Sequence, residues 1–242
     1  MFYYLITPIA AYNFILIAAA VIPAVFLMVK VYHADCLEKE STQLLYQLVK
    51  AGILAALLAL VEERILCAIA DSLLPGDSAV YNIILYFVIV AGAEESSKYI
   101  LMRRTTWDSL EFNCQYDGVL YAVFTSMGFA LWENISYVLH NGMSTALVRA
   151  VTAIPGHACF GVFMGVFYGM ARRCASEGAP SSEVTKYHVL SVLVPMLLHG
   201  AYDYIATMEE TGSGLYFLVF TAVLFFFAYR VTSKSAREDR YI

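Results

Sequence analysis

Seven apolar stretches, near residues 4–29, 45–70, 79–102, 116–139, 147–171, 187–207 and 214–230, follow one another with only short polar connectors between them. Most reach the roughly 20 residues that carry a helix across a hydrocarbon core. Their interiors contain no alternating blocks of strand length, and a bilayer admits only helices or closed barrels. The pattern therefore predicts an all-α, polytopic transmembrane helical bundle of about seven spans. With 60% of its 242 residues hydrophobic, the chain has more apolar surface than a water-soluble domain of this length could hide. The first stretch lacks a basic flank and is too long for a cleaved signal core, so it reads as a permanent span.

Charge placement gives the orientation. Lys30, Lys39 and Lys50 lie in or beside the first connector, Arg103 and Arg104 in the third, and Arg172, Arg173 and Lys186 in the fifth; Arg230, Lys234, Arg237 and Arg240 lie at the end. The alternate connectors, Asp71 to Ser78, His140 to Ser144 and Met208 to Gly214, hold no Lys or Arg. By the positive-inside rule the N-terminus lies outside and the C-terminus inside. Residues 1–242 then form one integral membrane domain, with 231–242 a short cytoplasmic tail, in a multi-pass protein of the cell membrane. Arg64, Lys98 and Arg149 break the charge pattern. No basic patch points to nucleic acid. The five cysteines form no CxxC pair, which argues against a disulfide framework or a zinc knuckle.

Ionisable residues within spans cost roughly 2.5 to 3.5 kcal/mol each on insertion scales, so each needs a partner, a wet cavity or a function. Four clusters stand out. Glu94, Glu95 and Lys98 lie on one helix, Glu94 and Lys98 sharing a face at i,i+4. Such a carboxylate can act as general base for water; a structural ion pair between helices is the bland alternative. Glu133 and Asn134 sit in the fourth span, and Glu133 has no cation within one turn. Its compensation must come from another helix, a metal or a proton. His157 follows Pro155 and Gly156, where the helix can break, and precedes glycines at 161, 165 and 169 that allow close backbone approach. His199 and Asp203 share a face at i,i+4, where a carboxylate can orient an imidazole. Each cluster alone has a packing explanation, but together they form a set able to hydrolyse a peptide bond.

In order, EExxK (Glu94, Glu95, Lys98), FxxxEN (Phe129, Glu133, Asn134), HAxFG (His157 to Gly161) and HGxYD (His199 to Asp203) resemble the PrsW family over nearly the whole chain. That family is grouped with the CAAX prenyl endopeptidases, the abortive-infection-like membrane proteins and the Aph-1 subunit of gamma-secretase. The prenyl endopeptidases have His in place of Glu133 and Asn in place of Asp203, which argues against a prenyl-protein substrate. The resemblance implies a bacterial inner-membrane endopeptidase making a site-1-type cut in a single-pass membrane protein, an anti-sigma factor in the type case. It implies catalytic roles for Glu94, Glu95, His157, His199 and Asp203, supported by Lys98, Glu133 and Asn134. Zinc would accept Glu133, His157 and His199; a metal-free glutamate–water mechanism uses the same residues.

Two rival readings fit the same residues. A proton-coupled transporter predicts an internal repeat, and the halves show none. A non-catalytic scaffold of the Aph-1 type could keep the histidines for packing. Depth poses a separate problem: from the expected cytoplasmic span ends Glu94 lies about 13 Å deep and Glu133 about 25 Å. Convergence requires tilt, a break at Pro155–Gly156, or a displaced span end.

Overall fold

The computed structural model describes residues 2–76, 78–208 and 212–242, so parts of the second and sixth connectors lie outside the described residues. Among them are nine α-helices and one π-helical stretch: α1 (Phe2–Ala34), α2 (Thr42–Leu73), α3 (Ala79–Ile83), the π-helix (Ile84–Val90), α4 (Ala91–Thr106), α5 (Asp117–Asn141), α6 (Met143–Val151), α7 (Ala153–Ser176), α8 (Ser181–Ala206) and α9 (Ser213–Arg237). The segment from α3 through α4 is one continuous rod, and α6 and α7 are separated only at Thr152, which leaves seven long rods. Six are long and apolar enough to cross a membrane. The seventh, α5, has 25 residues, enough length to do the same, and carries Asp117 and Glu133. The chain is a polytopic helical bundle.

Every residue of α5 from Asp117 to Ala130 is buried, making this helix the centre of the bundle. A central helix in lipid gains little from the hydrophobic effect, since tails are as apolar as leucine, so it depends on close packing. Glycine supplies that on two sides. A Cβ on Gly52 of α2 would lie 2.0 Å from the Thr125 carbonyl oxygen, and one on Gly128 of α5 would lie 2.2 Å from that of Val49. On the other side, a Cβ on Gly165 of α7 would stand 2.4 Å from the Gly118 carbonyl oxygen, and one on Gly169 would meet that of Gln115 at 2.2 Å. The glycine repeat read from the sequence is thus the seam between α5 and α7.

The helix break before His157 falls at Thr152 (φ −120°, ψ −76°), three residues upstream of the expected position. Pro155 lies in the first turn of α7, where its missing N–H costs no helical hydrogen bond. It therefore starts the helix that carries His157. Pro195 lies inside α8, one turn before His199, and cannot donate to the Ser191 carbonyl.

Apart from Arg64, Lys98 and Arg149, the basic residues gather at one end. Arg172 donates to the Phe112 carbonyl (3.2 Å) and Arg173 to Gln115 Oε1 (3.3 Å), joining the end of α7 to the start of α5. Beyond α9 the last residues fold back: Gln115 N–H donates to the Arg240 carbonyl (3.0 Å) and Ile242 N–H to that of Asn113 (2.7 Å). By the positive-inside rule this is the end expected to face the cytoplasm. Here, between α1 and α2, Glu40 is buried and accepts the Tyr121 hydroxyl at 2.9 Å. Burial pushes its carboxyl up from the ordinary 4.5 to about 9; the nearby Asp117 adds to the rise and the Tyr121 hydrogen bond opposes it.

Gly165→Leu is expected to cost about 3 kcal/mol or more and to separate α5 from α7, read as loss of the folded fraction in detergent. A carboxyl whose folded pKa is raised contributes stability fully present below its unfolded value and lost as pH rises through the folded one. Stability should therefore fall between about pH 4.5 and about pH 9. Glu40→Gln should flatten that slope in thermal melts taken across the range.

Candidate active site

Lys98 lies wholly buried at the centre of the site. Its ammonium donates to Glu94 Oε2 (3.1 Å) and Glu95 Oε1 (2.7 Å) on its own helix, and to His157 Nδ1 (3.2 Å) on α7. It also lies 3.9 Å from the centroid of the Phe129 ring on α5. An ammonium has donors only, so His157 Nδ1 accepts. The other nitrogen, Nε2, then carries the proton and donates to Glu133 Oε2 at 2.8 Å. His199 of α8 has Nδ1 2.9 Å from Glu95 Oε1 and Nε2 3.3 Å from Asp203 Oδ2. Phe160 stacks on the His199 ring (4.6 Å, 19°), and the two imidazoles lie 5.4 Å apart nearly at right angles.

One donor atom from each of Glu94, Glu95, His157 and His199 lies within 4.8 Å of all the others, and all four residues are buried. Each histidine has its far nitrogen fixed by a carboxylate, Glu133 for His157 and Asp203 for His199, as commonly occurs behind metal-ligating imidazoles. Glu95 keeps a buried oxygen, Oε2, without a hydrogen-bond partner. The donor types and this orphan oxygen suit a divalent metal.

Convergence is achieved despite the depth mismatch because α4 continues to Thr106, which puts Glu94 roughly 18 Å from its cytoplasmic end. Glu133 is roughly 24 Å from the start of α5. The remaining offset is spanned by His157, which touches Lys98 with one nitrogen and Glu133 with the other. Glu133, expected as a metal ligand, thus stands behind His157 and outside the four-residue donor group. Asn134 points away from the cavity, donating to the Ala20 carbonyl of α1 (3.0 Å) and accepting from Arg149 Nε (2.8 Å).

Two residues that line the cavity around the site belong to none of the sequence motifs. Arg149 of α6 supplies the cation that Glu133 lacks within its own helix, with Nη2 2.9 Å from Glu133 Oε2. Its position as an exception to the charge pattern was the available clue. Glu63 of α2 lines the same cavity. A carboxylate in the second half of an apolar span was the clue there.

The cavity has a volume of about 710 Å³ and is bounded by α2, the π-helix and α4 to α9. Glu94, His157 and His199 line it, whereas Glu95 and Lys98 lie behind its wall. The π-helix ends just before Glu94, and it packs so closely on α8 that a Cβ at Gly200 would meet Phe87 at 2.6 Å. A π-helix commonly marks a functional site.

Over residues 40–229 the sequence matches the PrsW family intramembrane metalloproteases. It is similar to the Protease PrsW of Geobacillus kaustophilus (strain HTA426), 32% identical over 223 residues and 92% of each chain. The chain belongs to the PrsW family. Protease PrsW of Bacillus subtilis (strain 168) is 37% identical over 142 residues, 59% of this chain and 62% of that protein. No solved structure matches the fold. The family assignment makes this an intramembrane protease, a multi-pass membrane protein like its bacterial relatives, with a buried Glu and His group able to bind metal.

As a PrsW-type site it makes Glu133 testable as an anchor. Glu133→Gln keeps the shape but removes the carboxylate that pairs with Arg149 and holds His157. A loss of about 10- to 100-fold in cleavage is expected with the protein still folded, measured by peptide-bond hydrolysis beside a thermal melt.

Proposed function

We propose that this protease makes a site-1-type cut in a single-pass, anti-sigma-factor-like membrane protein, on the outer side of the bilayer midplane. The observation that supports this is where the cavity lies. Its walls come from the parts of the helices farthest from the basic, cytoplasmic end: Glu63 in the second half of α2, Tyr86 in the π-helix, Ser136 and Tyr137 near the end of α5, and Asp203 and Thr207 at the end of α8. Water and an extended segment of substrate have their shortest path to Glu94 from that side.

Within this reading Glu94 faces the cavity and takes the proton from the attacking water, since Glu95 is wholly buried and engaged by Lys98 and His199. Lys98 pairs with both carboxylates and fixes their side chains. His199 is held between Asp203 and Glu95, and His157, held by Glu133, is kept in one tautomer with Nδ1 towards the carboxylates. Zinc accepts these donor types: Nδ1 of His157 and of His199 with Glu95 would hold it, in place of the Lys98–His157 and His199–Glu95 hydrogen bonds. Bound there, zinc supplies Lewis acidity, polarising the scissile carbonyl and making water more acidic.

The test is cleavage of a single-pass substrate by the full chain in liposomes, with cut sites mapped by mass spectrometry. The natural sequence should cut on the outer side of the substrate's span. Glu94→Ala, Glu95→Ala, His157→Ala and His199→Ala should each insert normally and lose about a thousandfold or more in rate. Full cleavage by all four variants would reject the site, and a cut near the cytoplasmic end would reject the topology. Metal analysis of the purified protein, with chelator treatment of the cleavage reaction, decides for or against zinc.

A further inference from the structure

The cavity walls carry four carboxylates, from Glu63, Glu94, Glu133 and Asp203, and three of them have partners. Glu94 is held by Lys98 at 3.1 Å, Glu133 by Arg149 at 2.9 Å and His157 at 2.8 Å, and Asp203 faces His199 Nε2 at 3.3 Å. Glu63 forms no hydrogen bond or ion pair with any side chain among the described residues. Its near neighbour Glu62, by contrast, is turned to Ser97 of α4 and accepts its hydroxyl at 3.0 Å.

Position along α2 sets the distance from the chemistry. Ala56, Leu60 and Glu63 follow one another at i, i+4 and i+7 along the face that lines the cavity. Glu63 is therefore about 10 Å further towards the outer surface than Ala56. An unpaired carboxylate beside a partly apolar cavity within a span keeps its charge only with water or a cation opposite it. Arg149, the one Lys or Arg side chain among the lining residues, is already engaged by Glu133 and Asn134.

We propose that Glu63 is a specificity-determining residue that receives a Lys or Arg side chain of the substrate, on the stretch leading from the scissile bond to the outer surface. The inference rests on the protease reading above. A substrate cation supplies a partner for Glu63, and Leu60 and Tyr86, which line the same cavity, offer apolar surface to its aliphatic stem. A substrate with an acidic residue at that point meets Glu63 and Asp203 as like charges and is disfavoured, so one group both attracts and rejects.

The experiment uses the full chain in liposomes with a set of single-pass substrates. These carry Lys, Gln or Glu at each of the first several positions outward from the mapped cut. The natural sequence should prefer Lys over Gln by about tenfold at one position, with the gain in KM and kcat little changed. Glu63→Gln should abolish that preference while cleaving the Gln substrate at the natural rate, and Glu63→Lys should turn the preference towards Glu. Thermal melts of both variants establish that they are folded. Equal Lys preference in the natural chain and in Glu63→Gln overturns the proposal, as does a natural chain indifferent to charge at every position. If the natural chain cuts none of the substrates, the protease reading fails with it, an outcome distinct from cleavage without charge preference.

Discussion

The site depends on one buried cation. Lys98 is wholly enclosed, and an isolated ammonium in hydrocarbon would be prohibitively costly. It is tolerated because Glu94, Glu95 and His157 surround it and the face of Phe129 closes one side. The same contacts work in the other direction. Without Lys98 the two adjacent carboxylates would repel each other, and His157 would lose the donor that fixes its tautomer. The ammonium links α4, α5 and α7 at one point, and His199, bonded to Glu95, adds α8. A single side chain thus holds together groups contributed by helices distant in sequence.

That arrangement requires the helix backbones to approach closely, and small residues make this possible. Gly118, Gly165 and Gly169 bring α5 and α7 into backbone contact on the cytoplasmic side, and Gly52 with Gly128 does the same for α2 and α5. Towards the other end Gly200 brings α8 against Phe87 of the π-helix, and the cavity opens beside that contact. The acidic groups at the cytoplasmic end, including Glu40, belong to the closed half and contribute stability that depends on protonation.

Much of the fold was legible because lipid imposes simple rules: span length, helical backbone and charge at the cytoplasmic end all leave direct marks in sequence. The candidate site was legible as a list, since Glu94, Glu95, His157 and His199 are costly in an apolar span and attract notice singly. Their relation to one another was less so. Glu133 looked like a ligand because nothing on its own helix neutralises it, and its partner Arg149 lies on a different helix. Glu63 has no motif around it, and only packing separates it from Glu62: one lines the cavity, the other accepts from Ser97.

The sequence by itself determined that the chain is a bundle of membrane-crossing helices and which residue types are too expensive to be there by accident. These properties follow from each segment's own transfer free energy and need no knowledge of its neighbours. Only the tertiary structure decided which carboxylate faces the cavity and which lies behind it, and that Glu133 supports His157. It also decided that Glu63 and Arg149 share the same space. Those facts depend on helix rotation and axial offset, and both are set by side chains packing across helices that no single segment encodes.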